Sequence, residues 1–368
     1  MLIPPPHKLP ANAYETFQQR KHLPYVTTGS PKLDTYLGGG FRCSGVYVLS
    51  GGPGAGKTTK TLDFAEGAMQ AGWPVIYMSG ELSPDLLLAR MASKRLGLSW
   101  LDVVDMQADH PQLPYYDAFA KNLGDHLWIL DPEQTQSYPE YVNNVRWHLN
   151  NKYGFTVPVL LIADYIQDIA QPRTTRRGVE LRNAVADLSR EWRLFAQDQQ
   201  CPMLIVSSTG RQFYSQNEED SDATLLASAK EAGEVEYNAF SVMYLRRRTY
   251  GAFKFTELVV AKNRFGENPV SVLYETNPVS GESHESTMSM DLVKSGEVTM
   301  KVYELIKHNP GKYNKAAVIA KITKLKFTDV ASALDMLIVG MGPYQVKASG
   351  GENGGYVVAD GGPGMAIG

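Results

Sequence analysis

The sequence predicts an α/β protein with a central, mostly parallel sheet and a small C-terminal domain. The first observation is an apolar run over 46–50 that leads into a glycine-rich loop and then a helical pattern over 61–69. The second is a series of further apolar runs separated by helical patterns, which is typical of parallel sheets. The third is a Ser- and Glu-rich stretch after residue 276, followed by three short helical patterns and a hairpin signal.

The glycine-rich loop fits G-x-x-x-x-G-K-[ST], a pattern that binds nucleotide phosphates where it joins a strand to a helix. Its glycines let backbone N–H groups turn toward a phosphate chain, and the following helix presents its positive end. Lys57 adds a charge for the β and γ oxygens, and the Thr58 hydroxyl suits Mg²⁺. We therefore expect ATP and Mg²⁺ as cofactors. The predicted nucleotide-binding residues are Gly51, Gly52, Pro53, Gly54, Ala55, Gly56, Lys57, Thr58 and Thr59.

Length and composition agree with a soluble globular protein. The chain has 368 residues, 43% of them hydrophobic, which is enough for one large α/β domain and a small second one. A net charge of −3 means that any nucleic-acid surface must be local. With two distant cysteines, Cys43 and Cys201, a disulfide framework and a zinc module are unsupported, and a cytoplasmic location is expected. No apolar run approaches a membrane span, and the first residues lack the pattern of a signal peptide.

The chain divides into five predicted segments. Residues 1–26 are proline-rich and form a predicted N-terminal arm, 27–276 form the ATP-binding core, and 277–298 form a linker. Residues 299–360 form the small C-terminal domain, and 361–368 a disordered tail.

Two of the predicted core strands end in a carboxylate. Because ligands bind beyond the carboxyl ends of parallel strands, Glu81 and Asp164 are both expected near the phosphates. Asp164 has the position of an aspartate that holds Mg²⁺ through a water or through Thr58. Residue 165 is Tyr rather than an acid, so Glu81 is the candidate that orients or deprotonates the attacking water. The alternative is a surface acid that caps the following helix.

Three polar segments also follow predicted strands. Ser207, Ser208 and Thr209 end a strand over 201–208, where hydroxyls suit a sensor of the γ-phosphate or reflect ordinary strand-end polarity. A basic loop over 172–178 and a mobile loop over 210–230 are either solvated surface or contacts for a polyanion. The candidate nucleic-acid contacts in them are Arg173, Arg176, Arg177 and Arg211.

Strands in a meander-like arrangement are predicted over 240–248, 256–261 and 270–274, and the run Lys262-Asn263-Arg264-Phe265-Gly266 lies between the last two. Its two cations are one residue apart, so on an extended backbone both side chains leave the same face. Either they are solvated charges of a hairpin loop, or they reach the phosphates of a neighbouring subunit.

In this order the motifs resemble a family. Over 27–276 the chain resembles the RecA-like ATPase core of DnaB-type replicative helicases and of the related RadA/Sms and KaiC ATPases. Asp164-Tyr165-Ile166-Gln167 and the run over 232–237 look DnaB-like, whereas Ser79-Gly80-Glu81 and the Lys-Asn-Arg-Phe-Gly run look like RadA. The remaining motifs that carry the resemblance are Thr28-Gly29, Leu33-Asp34, Gly38-Gly39-Gly40, the phosphate loop and Ser207-Ser208.

The resemblance implies a role for each matching residue. Lys57 and Thr58 would bind phosphate and Mg²⁺, Asp164 would support the metal, and Glu81 would activate water. Lys262 and Arg264 would match paired fingers inserted into an adjacent subunit's site, which implies a homo-oligomeric ring, most simply a hexamer. The basic loops would line a central channel for single-stranded DNA.

The sequence also departs from the family's pattern. Thr209 stands where the helicases usually place Gln, which puts the γ-phosphate sensor in doubt. No counterpart is seen of the helical N-terminal domain of DnaB, or of the zinc finger and protease-like domain of RadA. Docking of a loader or primase through such a domain should therefore not be assumed.

The C-terminal segment predicts a winged-helix-like domain. Helical patterns begin near 299, 314 and 327, and a glycine-rich hairpin signal over 344–358 follows them. From Leu292 to Lys347 nine lysines stand against four acids, a local excess that suits DNA phosphates. A small packing or protein-interaction domain is the alternative.

Three functions fit these observations. The first is a DnaB-like motor in which ATP hydrolysis drives translocation and unwinding during replication. The second is a RadA-like branch-migration or repair ATPase. The third is a KaiC-like regulatory switch, or an ATP-dependent DNA-binding factor that does not move. The basic loops favour the first two.

Overall fold

The computed structural model describes residues 25–130, 137–153, 159–177, 180–208, 233–250, 253–266, 268–287, 290–310, 312–313, 315–339, 346–348 and 356–358. The chain forms two compact units. The first contains residues 1–246 and 256–285, and the second contains residues 247–255 and 286–368.

Among the described residues, a nine-stranded sheet forms the centre of the protein. Its strands are β3 (Val46–Gly51), β4 (Val75–Ser79), β5 (Leu127–Leu130), β6 (Leu160–Asp164), β7 (Met203–Ser208), β8 (Ser241–Tyr250), β9 (Phe253–Asn263), β10 (Val270–Thr276) and β11 (Ser283–Glu285). They lie in the order β11-β10-β9-β8-β3-β7-β6-β4-β5. A separate antiparallel pair joins β1 (Tyr25–Val26) to β2 (Phe41–Arg42).

The six strands from β8 to β5 in this order are parallel to their neighbours. Every residue of β3, β4 and β6 is buried, as expected for parallel strands that are covered on both faces. The register pairs Ser50 with Ser207 and Ser79 with Asp164, so the carboxyl ends of these strands align at one edge. Beyond β8 the direction changes, because β9, β10 and β11 pair in an antiparallel manner.

Helices cover both faces of the sheet. They are α1 (Pro31–Tyr36), α2 (Lys57–Gln70), α3 (Pro84–Leu96), α4 (Trp100–Val104), α5 (Leu113–Leu123), α6 (Tyr138–Tyr153), α7 (Ile166–Arg177), α8 (Leu181–Gln199) and α9 (Gly233–Asn238), with a 3₁₀ turn at Gly124–His126. One apolar core joins the sheet to α6, α7, α8 and α9. A second core joins the opposite face to α1, α2 and α3.

The second unit has its own apolar core. Three helices, α10 (Met290–His308), α11 (Ala316–Thr323) and α12 (Phe327–Val339), pack around Val302, Ile306 and Ile319. An antiparallel pair, β12 (Val346–Ala348) and β13 (Tyr356–Val358), follows them. This order matches the predicted helices and hairpin, and the winged-helix identity stays a prediction.

The structure confirms the predicted α/β class with a large, mostly parallel sheet. Two local predictions are wrong. The sequence predicts a basic loop over 172–178, but residues through Arg177 belong to α7. The helix predicted to begin near 299 is α10, and it begins at Met290. The predicted linker over 277–298 therefore contains β11 and the start of α10. In the described part of the chain, no helix combines the length and apolar character that crossing a bilayer requires.

Candidate active site

The loop between β3 and α2 is a tight turn that ends at the helix. Gly56 precedes α2 with a φ of 92°, a left-handed conformation that glycine adopts without strain. The Ala55 amide donates to the Gly52 carbonyl at 3.1 Å and closes the turn. The first backbone N–H groups of a helix have no carbonyl partner within it, so those of α2 are available to an anion in this loop.

Lys57 is the first residue of α2 and is buried. Its Nζ donates to the carbonyls of Gly51 at 2.8 Å and Gly52 at 3.0 Å, which holds the ammonium group over the loop. Burial lowers the pKa of Lys57, and the negative charges of Asp164 and Glu81 oppose this effect. The ammonium group therefore lies within the electrostatic field of both carboxylates, the predicted water-activating Glu81 and the predicted metal-supporting Asp164.

Asp164 ends β6 with its side chain almost completely inaccessible to solvent. Burial raises the pKa of its carboxyl group to about 6, against the opposing effects of the Tyr77 and Thr58 hydroxyls. Its Oδ2 accepts a hydrogen bond from the Tyr77 hydroxyl at 2.7 Å. Its Oδ1 has no hydrogen-bond partner among the described residues, although it is buried.

Tyr77 is not among the predicted site residues. The Tyr77 hydroxyl lies 2.9 Å from Thr61 Oγ1. The Thr61 hydroxyl in turn donates to the Thr58 carbonyl at 2.8 Å. A polar chain thus connects β6, β4 and the first turn of α2 through the core. The signal in the sequence is a tyrosine within an apolar strand, because a buried phenol needs a hydrogen-bond partner.

The residues at this edge fit a magnesium ion. A buried carboxylate oxygen without a partner is costly unless a cation or donor approaches it. The Thr58 hydroxyl lies close enough to Asp164 to affect its pKa. Mg²⁺ prefers such oxygen ligands and is commonly held by one carboxylate together with phosphate oxygens and waters.

Glu81 lies two residues beyond β4, the strand that neighbours β6. Its side chain is exposed, and its Oε2 accepts a hydrogen bond from the Tyr165 hydroxyl. A carboxylate that is open to solvent and close to the phosphate loop is placed to accept a proton from a water. The structure therefore brings together Lys57, Thr58, Glu81 and Asp164, as the sequence predicts for a nucleotide site.

Ser207 lies at the end of β7, between the strands that carry the loop and Asp164. Its hydroxyl accepts a hydrogen bond from the side-chain amide of Gln167 at 2.9 Å. Gln167 belongs to the first turn of α7, so this contact connects two strand ends beside the site. Thr209, the third residue of the predicted phosphate sensor, lies outside the described residues.

Lys262 and Arg264 lie at the opposite edge of the sheet from the phosphate loop. The Arg264 amide donates to the Phe240 carbonyl at 3.0 Å, and the Phe240 amide donates to the Val46 carbonyl at 2.7 Å. Val46 begins β3, whereas Gly51 ends it at the loop. At about 3.3 Å per residue, the two edges are about 17 Å apart. The two cations therefore belong to a different edge from the site of their own chain.

The segment that carries these cations is fixed by its other residues. The Asn263 side chain donates to the Tyr36 carbonyl at 2.6 Å and accepts from the Phe265 amide at 3.1 Å. Phe265 packs against Phe240 with ring centroids 5.2 Å apart. A Cβ atom on Gly266 would lie 2.4 Å from the Tyr36 oxygen, so only glycine fits there. The run Lys-Asn-Arg-Phe-Gly thus combines two cations with three residues that anchor them.

The predicted nucleic-acid contacts are placed only in part. Arg173, Arg176 and Arg177 lie along α7, which begins two residues after Asp164. Arg211 and the rest of the loop over 210–230 lie outside the described residues.

A family model described as the DnaB-like helicase C terminal domain matches residues 25–278. The chain belongs to this family. The match confirms the resemblance that the sequence motifs indicate, and most of the matched residues lie in the first compact unit.

Individual relatives agree with this membership. A probable plasmid replicative DNA helicase of Chlamydia psittaci is 24% identical over 225 residues, which are 60% of this chain and 47% of that protein. The DNA repair protein RadA of Mycolicibacterium smegmatis is 38% identical over 120 residues, 33% of this chain and 24% of that protein. The chain thus spans about half the length of the helicase relative.

Among solved structures, the ATPase domain of G40P superposes with a TM-score of 0.60 at 15% sequence identity. The superposition covers 75% of this chain and 96% of that domain. It confirms the predicted RecA-like ATPase fold.

Proposed function

We propose that this protein is an ATP-hydrolysing DNA helicase motor that acts as a homo-oligomeric ring, most simply a hexamer, on single-stranded DNA. The observation that carries this proposal is the separation of the catalytic groups. Lys57, Glu81 and Asp164 lie at one edge of the sheet, whereas Lys262 and Arg264 lie at the other. A complete site therefore requires two chains.

In this mechanism the loop amides and Lys57 hold the phosphates of ATP. Thr58 and Asp164 would hold Mg²⁺, directly or through water, and the ion would supply positive charge to stabilise the phosphate oxygens. Glu81 orients the attacking water and accepts its proton. Lys262 and Arg264 of a neighbouring subunit stabilise the charge that develops on the transferred phosphoryl group, a role typically worth about 10³ to 10⁵ in rate.

DNA contact would come from two places. The first is α7, which carries three arginines and begins two residues after Asp164. This helix would therefore couple movement of bound DNA to changes at the metal site. The second unit, proposed as a winged-helix-like domain, carries the local excess of lysines. Each phosphate that these groups neutralise adds to affinity and to its dependence on salt.

A RadA-like branch-migration or repair ATPase is the second candidate. It is favoured by the 38% identity to the mycobacterial RadA, which is higher than the 24% identity to the plasmid helicase but covers a shorter stretch. Strand displacement on a forked DNA, compared with branch migration on a three-stranded junction, separates the two functions. A motor of the first kind unwinds the fork without a recombinase.

A mixing experiment tests the requirement for two chains. Arg264→Ala keeps Glu81, and Glu81→Gln keeps Arg264, so mixed rings contain interfaces with both groups intact. We expect each variant alone to be inactive and the mixture to regain ATP hydrolysis. A mixture of Arg264→Ala with Lys262→Ala is the matched control. Both of its variants are defective on the same side of the interface, so it should not recover.

Recovery in the first mixture alone would support catalysis between subunits. If Arg264→Ala hydrolyses ATP at the wild-type rate, or if rings shown to be mixed do not recover, the assignment of the cation pair is wrong.

A further inference from the structure

Lys262 and Arg264 converge on one acceptor. Lys262 Nζ donates to the Tyr237 carbonyl at 3.0 Å, and Arg264 Nη2 donates to the same oxygen at 3.5 Å. Lys262 also lies 6.0 Å from the centroid of the Tyr237 ring. The Arg264 guanidinium lies 5.6 Å from the centroid of the Phe240 ring.

The Tyr237 carbonyl can accept both hydrogen bonds because Tyr237 lies in the last turn of α9. The final carbonyls of a helix have no partner within it, so they accept hydrogen bonds from other groups. Val235 and Ala239 are buried in the core on the face of the sheet that holds α7 and α8. The position of the Tyr237 carbonyl is therefore fixed by the core.

The Tyr237 side chain, in contrast, is 79% exposed. Burial in the core does not explain a large ring in this position. Its environment includes the Lys262 cation, which an aromatic face attracts. Long Lys and Arg side chains lose considerable conformational entropy when they are ordered, so a group that orders them in advance favours their insertion elsewhere.

We propose that Tyr237 is a positioning residue for the cation pair, which orients Lys262 and Arg264 toward the nucleotide site of the adjacent subunit. The inference rests on the proposed function. It adds that the end of α9, rather than the β9 backbone alone, sets the direction in which the pair leaves the surface. Tyr237 acts through the two cations and does not touch the nucleotide.

The test compares variants of the Tyr237 side chain in the 368-residue chain. Tyr237→Phe keeps the aromatic face, whereas Tyr237→Leu and Tyr237→Ala remove it. We expect the last two to lower kcat for ATP hydrolysis by about two- to five-fold, the range of an exposed cation–π contact, with unchanged ATP affinity. Tyr237→Phe should match wild type. Because the side chain is exposed, thermal unfolding should be unchanged in all three, and Tyr237→Leu serves if Tyr237→Ala does not fold.

Two further measurements show whether Tyr237 acts through the cations. In an Arg264→Ala, Lys262→Ala background, Tyr237→Ala should have no additional effect on kcat. Rings that mix Tyr237→Ala with Glu81→Gln subunits contain some interfaces with every group intact, and these interfaces should hydrolyse ATP at the wild-type rate. Rings that mix Tyr237→Ala with Arg264→Ala subunits contain no such interface and should not reach that rate.

Wild-type kcat in Tyr237→Ala, together with an inactive Arg264→Ala, would overturn this inference and leave the proposed function standing. A reduction in kcat that persists in the background without the two cations would also overturn it. Full activity of Arg264→Ala would instead refute the proposed function.

Discussion

Asp164 combines almost complete burial with an unpaired oxygen, so replacing it by asparagine should stabilise the ligand-free protein while removing activity. The carboxyl group has its pKa raised from 3.8 to about 6 by burial. A raised pKa means that the folded state binds the proton more tightly than the unfolded state. The wild-type fold therefore loses stability as pH rises from about 4 to 6, and the full cost is present above pH 6.

The size of this cost follows from the shift. About two pKa units at 1.36 kcal/mol each give about 3 kcal/mol at neutral pH. Asparagine has nearly the same shape, still accepts a hydrogen bond from Tyr77 and carries no charge. The stability of Asp164→Asn relative to wild type should therefore rise by about 3 kcal/mol between pH 4 and pH 7 and then stay constant.

Chemical denaturation of both proteins at a series of pH values, with EDTA and without nucleotide, measures this difference. Tyr77→Phe is the matched control. It removes the hydrogen bond that lowers the pKa of Asp164, so its stability should fall over a range that extends to higher pH. A stability difference between Asp164→Asn and wild type that does not change with pH would refute the reasoning.

Two further predictions concern the site and the DNA. Lys57→Ala should abolish ATP binding in an equilibrium assay, whereas Glu81→Gln should bind ATP normally and lose hydrolysis, because one residue contacts phosphate and the other acts on water. Equal turnover in wild type and Glu81→Gln would remove Glu81 from the mechanism. Neutralising the three arginines of α7 together should make single-stranded DNA binding less dependent on salt. The slope of log affinity against log salt concentration should fall by about 0.7 for each phosphate that these side chains neutralise in the wild type. An unchanged slope would place the DNA elsewhere, first of all on the second unit.

Local signals explain why the sequence already indicates the residues that meet at the candidate nucleotide site. The phosphate loop is contiguous, and Glu81 and Asp164 each follow a run of apolar residues that only a buried strand explains. In parallel strands the carboxyl ends meet at one edge, so their proximity follows from the fold class. The hydrogen bonds of Tyr77 and Gln167 could not be predicted because their partners, Asp164 and Ser207, are distant in sequence.

The error at α7 has a different cause. Pro172 and a run of cations predict a loop, because proline disfavours a helix interior and the run has no apolar period. Ile166 and Ala170, however, are completely buried against the sheet. Their packing fixes the first turns of the helix, so tertiary contacts outweigh the local preference.

The position of the cation pair could not be predicted from strand order alone. Lys262 and Arg264 end a strand, and in an entirely parallel sheet that strand end would lie beside Glu81 and Asp164. The sheet changes direction beyond β8, however, so the carboxyl end of β9 lies at the other edge. This reversal leaves one chain with a phosphate site at one edge and a pair of cations at the other. Since a chain cannot bring its own two edges together, the proposed function requires that the ring assembles before the active site is complete.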